Sequence, residues 1–343
     1  MLDDGSMAAT RNLLLWAGST AGFTKCSSMT EHTKNLFLPN SKRRTTLPVK
    51  ISIQICSYNR KALLKRCLEA LFKVDFPPED YELVLVDDGS TDGTSDVANE
   101  LTHKCQVKVL RQEKNAGLSK ARNLGIKNAE GEVVLFIDDD TFADANLLKE
   151  HWASHQADGR SVVNGWVNHI DSLDKELIPK FKMADVSTSF FWTSNVSVRR
   201  RFLLEAGLFD EDFTEYGWED LELGHRLKDL GLVRKFNPKA IVYHYKTRWK
   251  GTDLPRLCRQ AQSSGRSAVI YLRKRPFLRT RMSTGIFYAR FVWNDILRLG
   301  KPLYTSVVKK AGDKPLHGLP LLCARLLVSF EYFASVRASL RAS

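Results

Sequence analysis

Residues 136–142 read FIDDDTF, with Asp138, Asp139 and Asp140 consecutive after the apolar run 133–137. Like charges this close repel, and a carboxylate at the edge of a core is costly without a partner. A divalent cation held between the aspartates and a second anion removes that repulsion. Mg2+ and Mn2+ prefer carboxylate and phosphate oxygens, and Mg2+ often uses one or two carboxylates plus substrate phosphates. Asp138 and Asp140, at i and i+2, point the same way on an extended backbone. Asp140 is therefore read as the metal holder, and Asp138 as the group that meets a ribose hydroxyl or a metal-bound water. The plainer reading is a strand-end loop capping a helix over 146–155.

A second acidic pair opens the run Gly217-Trp218-Glu219-Asp220-Leu221-Glu222. Leu223, Leu227 and Leu230 follow as a helical stripe that Gly231 ends. Glu219 and Asp220 then sit in the first turn, where the helix dipole favours a carboxylate.

The elements that position these groups alternate. Strands are expected over 51–56, 82–86, 107–110 and 133–137, with helices over 61–72, 95–101 and 118–129 between them. That order gives an α/β fold with a mostly parallel, Rossmann-like sheet and helices on both faces. Right-handed crossovers bring the strand C-termini to one edge, where such sheets bind ligands. Ser57-Tyr58-Asn59-Arg60, Asp87-Asp88 and the three aspartates each follow a strand end, so they converge on one rim. Neither Gly-x-Gly-x-x-Gly nor a Gly-Lys-Ser/Thr loop occurs, so phosphates must be neutralised by something other than a backbone cradle.

At 343 residues and 43% hydrophobic content, the chain can bury a sizeable core. Its six cysteines form no CxxC pair, which excludes a zinc cage or disulfide scaffold and fits a reducing compartment. The net charge of +13 is segregated: residues 251–343 hold 17 of the 52 basic and 4 of the 39 acidic residues, so the rest of the chain is neutral. Residues 1–47 are polar and Ser/Thr-rich and read as a poorly ordered leader, with a start at Met29 in reach. No run reads as a transmembrane helix. The organisation expected is a leader over 1–47, a catalytic domain over 48–250 and a basic amphipathic helical extension over 251–343.

CSYNR (56–60), VDDGSTDGT (86–94), NAGLSKARNLGI (115–126), FIDDD (136–140) and GWEDLELGHRL (217–227) stand in the order and spacing of inverting family 2 glycosyltransferases. The chain resembles that family over about residues 49–250, which implies the GT-A fold. Phe209 to His244 looks like the galactosyl- and N-acetylgalactosaminyl-transferase type of C-terminal region. The resemblance implies that Ser57 and Tyr58 lie against a nucleotide base, with Tyr58 covering it. Asp87 would accept a hydrogen bond from the base imide, and Arg122 would approach the base or diphosphate. Inversion requires a base for the acceptor hydroxyl, assigned to Asp220 with Glu219 second. Trp218, like Trp192, offers a face for a sugar. Related transferases carry a metal-ligating His beyond the Glu-Asp helix, which points to His244. Lys246, Arg248 and Lys250 would clamp the departing diphosphate.

The implied activity is Mn2+- or Mg2+-dependent transfer of a sugar from a nucleotide sugar, UDP-linked, to a glycan or lipid-linked hydroxyl. Stripes in the basic tail, Phe287 to Leu297 and Leu319 to Phe333, suit helices lying on an anionic membrane. The expected location is cytoplasmic, peripheral at the inner face of the membrane. Two rivals are weighed. A nucleotidyltransferase would want a Gly-rich first loop bearing Lys or Arg, which CSYNR is not. A nucleic-acid binder would interleave its basic surface through a recognition fold, so no nucleic acid is expected.

Overall fold

The computed structural model describes residues 49–173, 177–180 and 189–342. The leader expected over 1–47 lies outside the described residues. Thr46–Ser343 cluster as one compact unit.

The parallel half of the sheet comprises β1 (Ile51–Ser57), β2 (Tyr81–Asp87), β3 (Gln106–Arg111) and β4 (Val133–Ile137). Beyond β4 lie β7 (Asn195–Arg199), β6 (Ser161–Ile170), β8 (Val233–Tyr245) and β5 (Thr141–Ala143), giving the order β3-β2-β1-β4-β7-β6-β8-β5. β7 runs against both of its neighbours, so this half is mixed, where strand–helix alternation had suggested a mostly parallel sheet.

The apolar run before the aspartates is buried on both faces, as its composition requires. Val133, Leu135 and Ile137 pack with Ile51, Ile53 and Ile55, while Val134 and Phe136 pack with Val84 and Val86 on the other side. α1 (Lys61–Leu71) covers the first face through Leu64, Leu68 and Leu71. α2 (Leu118–Asn128) and α5 (Glu219–Asp229) cover the second, with α3 (Leu147–Ala157) on the first and α4 (Arg200–Glu205) on the second. The helix expected over 95–101 is reduced to one 3-10 turn, Thr94–Asp96. Asp92 accepts from both the backbone N–H and the hydroxyl of Thr94, and such local bonds compete with a helix.

Five helices follow the sheet: α6 (Leu254–Lys274), α7 (Leu278–Thr284), α8 (Tyr288–Arg298), α9 (Lys301–Ala311) and α10 (Gly318–Arg341). By length and composition, α10 is long and apolar enough to cross a membrane, which the sequence reading did not expect. Its Cys323, Ala324, Leu327 and Phe330 pack instead with Val308 and Leu316, and Val336 packs with Ala268 and Val269 of α6. Of the stripe assigned to a membrane here, Phe330 and Phe333 are buried, and only Leu319 and Leu322 at its start face outward.

One strand contact sets the geometry at the sheet end. The β6–β8 register shifts between Gly165 and Trp166, and beyond the shift His169 stands opposite His244. A Cβ on Gly165 would lie 2.3 Å from the Ala240 carbonyl oxygen and 2.3 Å from Asn195 Nδ2. Glycine is required there by the close approach of the backbones. Gly165→Ala should lower stability by about 1–3 kcal/mol, the usual cost of overpacking. Urea unfolding measures this, and an unchanged midpoint would show that β8 yields freely.

Candidate active site

A cavity of about 1590 Å³ opens at the C-terminal ends of β1 and β4. Residues 56–58, 138–140, 192–194, 216–220 and 244–247 line one side, and α6, α7, α8 and α10 line the other.

Asp138, Asp140 and His244 meet here, each offering a ligand atom within 4.8 Å of the others. Chain pairing places them. β4 ends at Ile137, and a turn closed by Thr141 N–H to the Asp138 carbonyl (3.2 Å) leads into β5. β5 pairs antiparallel with β8, setting Thr141 opposite His244, and Tyr245 N–H donates to the Asp140 carbonyl at 2.9 Å. His244 Nε2 lies 3.1 Å from Asp140 Oδ1, yet that oxygen is buried with no aligned hydrogen-bond donor. A buried carboxylate oxygen, a second carboxylate and an imidazole fit a cation such as Mn2+. Asp138 Oδ2 accepts from Ser194 Oγ at 2.5 Å, which fixes its direction.

Asp139 turns away from this trio. Ser57 Oγ donates to it at 2.7 Å, and Arg60 bridges Asp139 Oδ1 and Asp140 Oδ2, both at 2.8 Å. Burial pushes the Asp139 carboxyl up to about 6, against the pull of Arg60. Burial also works against the Asp140 charge, but His244 and Arg60 outweigh it and hold that carboxyl below its usual range. Arg60 went unassigned in the sequence reading, although it sits in CSYNR; only the fold brings it beneath residues 139 and 140.

The Glu-Asp pair begins α5 after a tight turn in which Gly217 (φ 96) and Trp218 (φ 77) are both left-handed. A bulky residue there is uncommon. Trp218 is held from the far side: its indole N–H donates to the Ser264 carbonyl at 2.9 Å, and its ring stacks on Tyr271 at 6.0 Å. Arg122 is buried and donates to Glu219 Oε1 (2.6 Å) and Thr193 Oγ1 (2.7 Å). Its guanidinium, expected near a base or diphosphate, lines the cavity and is engaged by Glu219. Asp220 forms no ion pair among the described residues and accepts only from the Leu221 N–H, at 2.7 Å. Burial, then the neighbouring Glu219 charge, push its carboxyl up to about 7, while Arg122 works the other way.

Ser57 and the exposed Tyr58 line the cavity as expected. Asp87 does not; it is fully buried and caps the next turn by accepting from Ser90 N–H at 2.8 Å. Asp88 lines the wall instead, and accepts from the Ala116 and Gly117 N–H groups. Asp87 is sealed away from the cavity because the extended strand runs through it and turns only after it. Of the three cations after His244, Lys246 lines the cavity, whereas Arg248 pairs with Asp171 at 3.1 Å and Lys250 with Asp313 at 3.8 Å. Trp192 and His169 line it too, with stacked rings 6.4 Å apart and 29° from parallel.

Residues 52–210 match the family described as glycosyl transferase family 2. A validoxylamine A glucosyltransferase of Streptomyces hygroscopicus subsp. limoneus is 32% identical over 219 residues, 53% of this chain and 48% of its own length. The poly(ribitol-phosphate) beta-N-acetylglucosaminyltransferase TarS of Staphylococcus aureus (strain Mu50 / ATCC 700699) is 33% identical over 164 residues, 46% of this chain and 28% of its own. The chain spans about half the length of the subsp. limoneus glucosyltransferase and of the validoxylamine A glucosyltransferase of Streptomyces hygroscopicus subsp. jinggangensis (strain 5008). A mannosyltransferase from Pyrobaculum calidifontis, solved in complex with GDP-Man and Mn2+, superposes with a TM-score of 0.57 over 86% of this chain and 90% of that one, at 15% identity. That likeness is one of fold. Neither the nucleotidyltransferase nor the nucleic-acid reading gains support from the site or from these likenesses. Over residues 52–210 the chain is similar to glycosyl transferase family 2, and its fold is of the GT-A type.

Proposed function

We propose that this chain transfers a sugar from a nucleotide-diphosphate sugar, UDP-linked, to a hydroxyl acceptor with inversion. The observation that carries the reading is the meeting of two acidic groups in one cavity: Asp138, Asp140 and His244 together, and the Asp220 carboxyl without a counter-ion. Transfer with inversion needs a site for the donor's diphosphate and a base for the acceptor hydroxyl, and these two groups are the candidates for them.

Asp140 and His244, with Asp138 beside them, would hold Mn2+ or Mg2+, and an imidazole ligand favours Mn2+. Bound there, the cation would neutralise the departing diphosphate. Tyr58 covers the base, with Ser57 below it and Asp88 in the position first given to Asp87. Arg122 is a positioning residue. It holds Glu219 as its counter-ion and leaves Asp220 as the free base. A carboxyl pushed up to about 7 is a better proton acceptor than an ordinary aspartate, while still ionised in part near neutrality. Trp218 and Trp192 flank the space between, where a sugar ring would sit. The Gly217–Asp220 run also supports a hexose or N-acetylhexosamine donor of the galactosyl type. The acceptor is a glycan or a lipid-linked hydroxyl, reached by an enzyme peripheral to an anionic membrane at its cytoplasmic face.

Asp140→Ala should abolish the metal-dependent part of UDP binding. Calorimetry with and without Mn2+ measures it, and undiminished metal stimulation would sink the assignment. Asp220→Asn should retain donor binding while transfer falls about 10²–10⁴-fold. The wild-type rate depends on the ionised carboxylate, so it should climb as pH rises towards about 7 and level above it. Glu219→Gln should act differently, lowering stability by about 3–5 kcal/mol because Arg122 is left buried without its counter-ion. Normal transfer by Asp220→Asn beside a folded but inactive Glu219→Gln would move the base to Glu219.

A further inference from the structure

The C-terminal helices divide their apolar side chains in two. Those of α10 and α6 pack together, while the outer arc of α8 is largely exposed. Tyr288, Val292, Trp293, Ile296, Leu297 and Leu299 recur at helical spacing along that arc, and Tyr288, Trp293 and Leu299 are 84%, 62% and 85% exposed. The opposite side of α8 is seated, with Phe291 against Phe333 and Asn294 buried. Leu278 and Met282, one turn apart on α7, are 73% and 69% exposed, and Leu303 of α9 faces out as well. Soluble surfaces rarely gather large apolar side chains in this way without a partner.

The charges beside this face are of one sign and unclaimed by carboxylates, with Arg290 also 5.9 Å over the Phe333 ring. Arg279, Arg281 and Arg290 form no ion pair among the described residues, whereas nearby Lys274 and Arg275 are engaged by Asp212 and Asp229. The single acidic residue between 277 and 303, Asp295, is bound by Arg337. A second copy of the chain on this face would set cation against cation, which opposes association. An anionic bilayer accepts both features, because aromatic and leucine side chains enter the headgroup boundary while arginines meet the phosphates.

The same helices build one wall of the cavity. Met282, Ser283, Thr284, Gly285, Phe287 and Arg290 line it at the turn between α7 and α8. We propose that the outer face of α7, α8 and the start of α9 docks on an anionic lipid bilayer and sets this wall of the cavity at the lipid surface, so that the acceptor hydroxyl is borne by a lipid. What the surface delivers rests on the transferase reading; the docking itself does not.

The test uses the full chain and phosphatidylcholine vesicles with and without phosphatidylglycerol. Wild type should cosediment with phosphatidylglycerol vesicles and stay free of phosphatidylcholine alone. The variant Tyr288→Ser/Trp293→Ser/Leu299→Ser should lose binding at least tenfold while keeping its circular dichroism and its donor hydrolysis. Arg279→Gln/Arg281→Gln should weaken binding about thirtyfold, at the usual contribution of each interfacial cation. Hydrogen exchange on vesicles should slow over 277–303, including the 284–287 turn, and not over α1. Equal vesicle binding by folded variants overturns the proposal, as does a wild-type dimer that the serine variant dissociates. Protection that leaves out 284–287 refutes delivery to the cavity. Vesicle binding without nucleotide-sugar hydrolysis upholds the docking face and refutes the transferase reading.

Discussion

Crowding of carboxylates at the end of a buried sheet is the constraint on which this molecule is built. Asp138, Asp139, Asp140, Glu219 and Asp220 all line one cavity. Each is answered differently. Arg60 takes Asp139 and one oxygen of Asp140, and Arg122 takes Glu219. Asp138 is satisfied in part by a neutral hydroxyl, and Asp140 keeps one buried oxygen without a donor. Asp220 is left without a counter-ion of its own. The unanswered charge thus collects at two points, one suited to a cation and one to a proton. The carboxylates divide along that line because like charges at such spacing cannot all stay ionised in the same way.

The acidic site depends on the basic segment that follows it in sequence. A tryptophan with a left-handed backbone costs of order 1–3 kcal/mol and persists only where its surroundings over-determine it. Here Ser264 and Tyr271 of α6 do so, and Ser263 Oγ accepts from the Tyr216 N–H at 2.9 Å in the same turn. That turn aims the first residues of α5 into the cavity. A split of the chain at residue 250 would therefore remove the support of the presumed base along with the basic charge, and would test two things at once.

Much of this arrangement was legible in the sequence, and the gaps have physical causes. Strands β1 to β4 were read within a residue or so because they are apolar runs ended by polar clusters, and α5 because its leucines recur at helical spacing. The meeting of Asp140 and His244 was reached only through family likeness; its cause is the pairing of β5 with β8, across about a hundred residues, which no local pattern announces. Arg60 and the pairing of Arg122 with Glu219 were missed for the same reason. Their partners are 79 and 97 residues away, and a lone arginine in a loop reads as solvated. The pair Asp87 and Asp88 shows the finer limit: of two identical neighbours, the first ends the strand and is buried, while the second lines the cavity.

The two apolar stripes of the tail carry that limit into function. By composition α8 and α10 look alike, and both fit a membrane surface. Hydropathy does not say what a side chain meets. α10 lies along α6 with Ser335 donating to the Gln262 carbonyl at 2.8 Å, and its small residues admit the close approach: a Cβ on Gly265 would fall 2.1 Å from Ser335 Oγ. Once α10 fills that groove, α8 has only its Phe291 side left to bury, against Phe333. Its remaining apolar arc is what packing cannot use. A helix that keeps a tryptophan, a tyrosine, an isoleucine and a leucine in such a place, beside arginines that no carboxylate claims, has a surface that the packing of the fold does not explain.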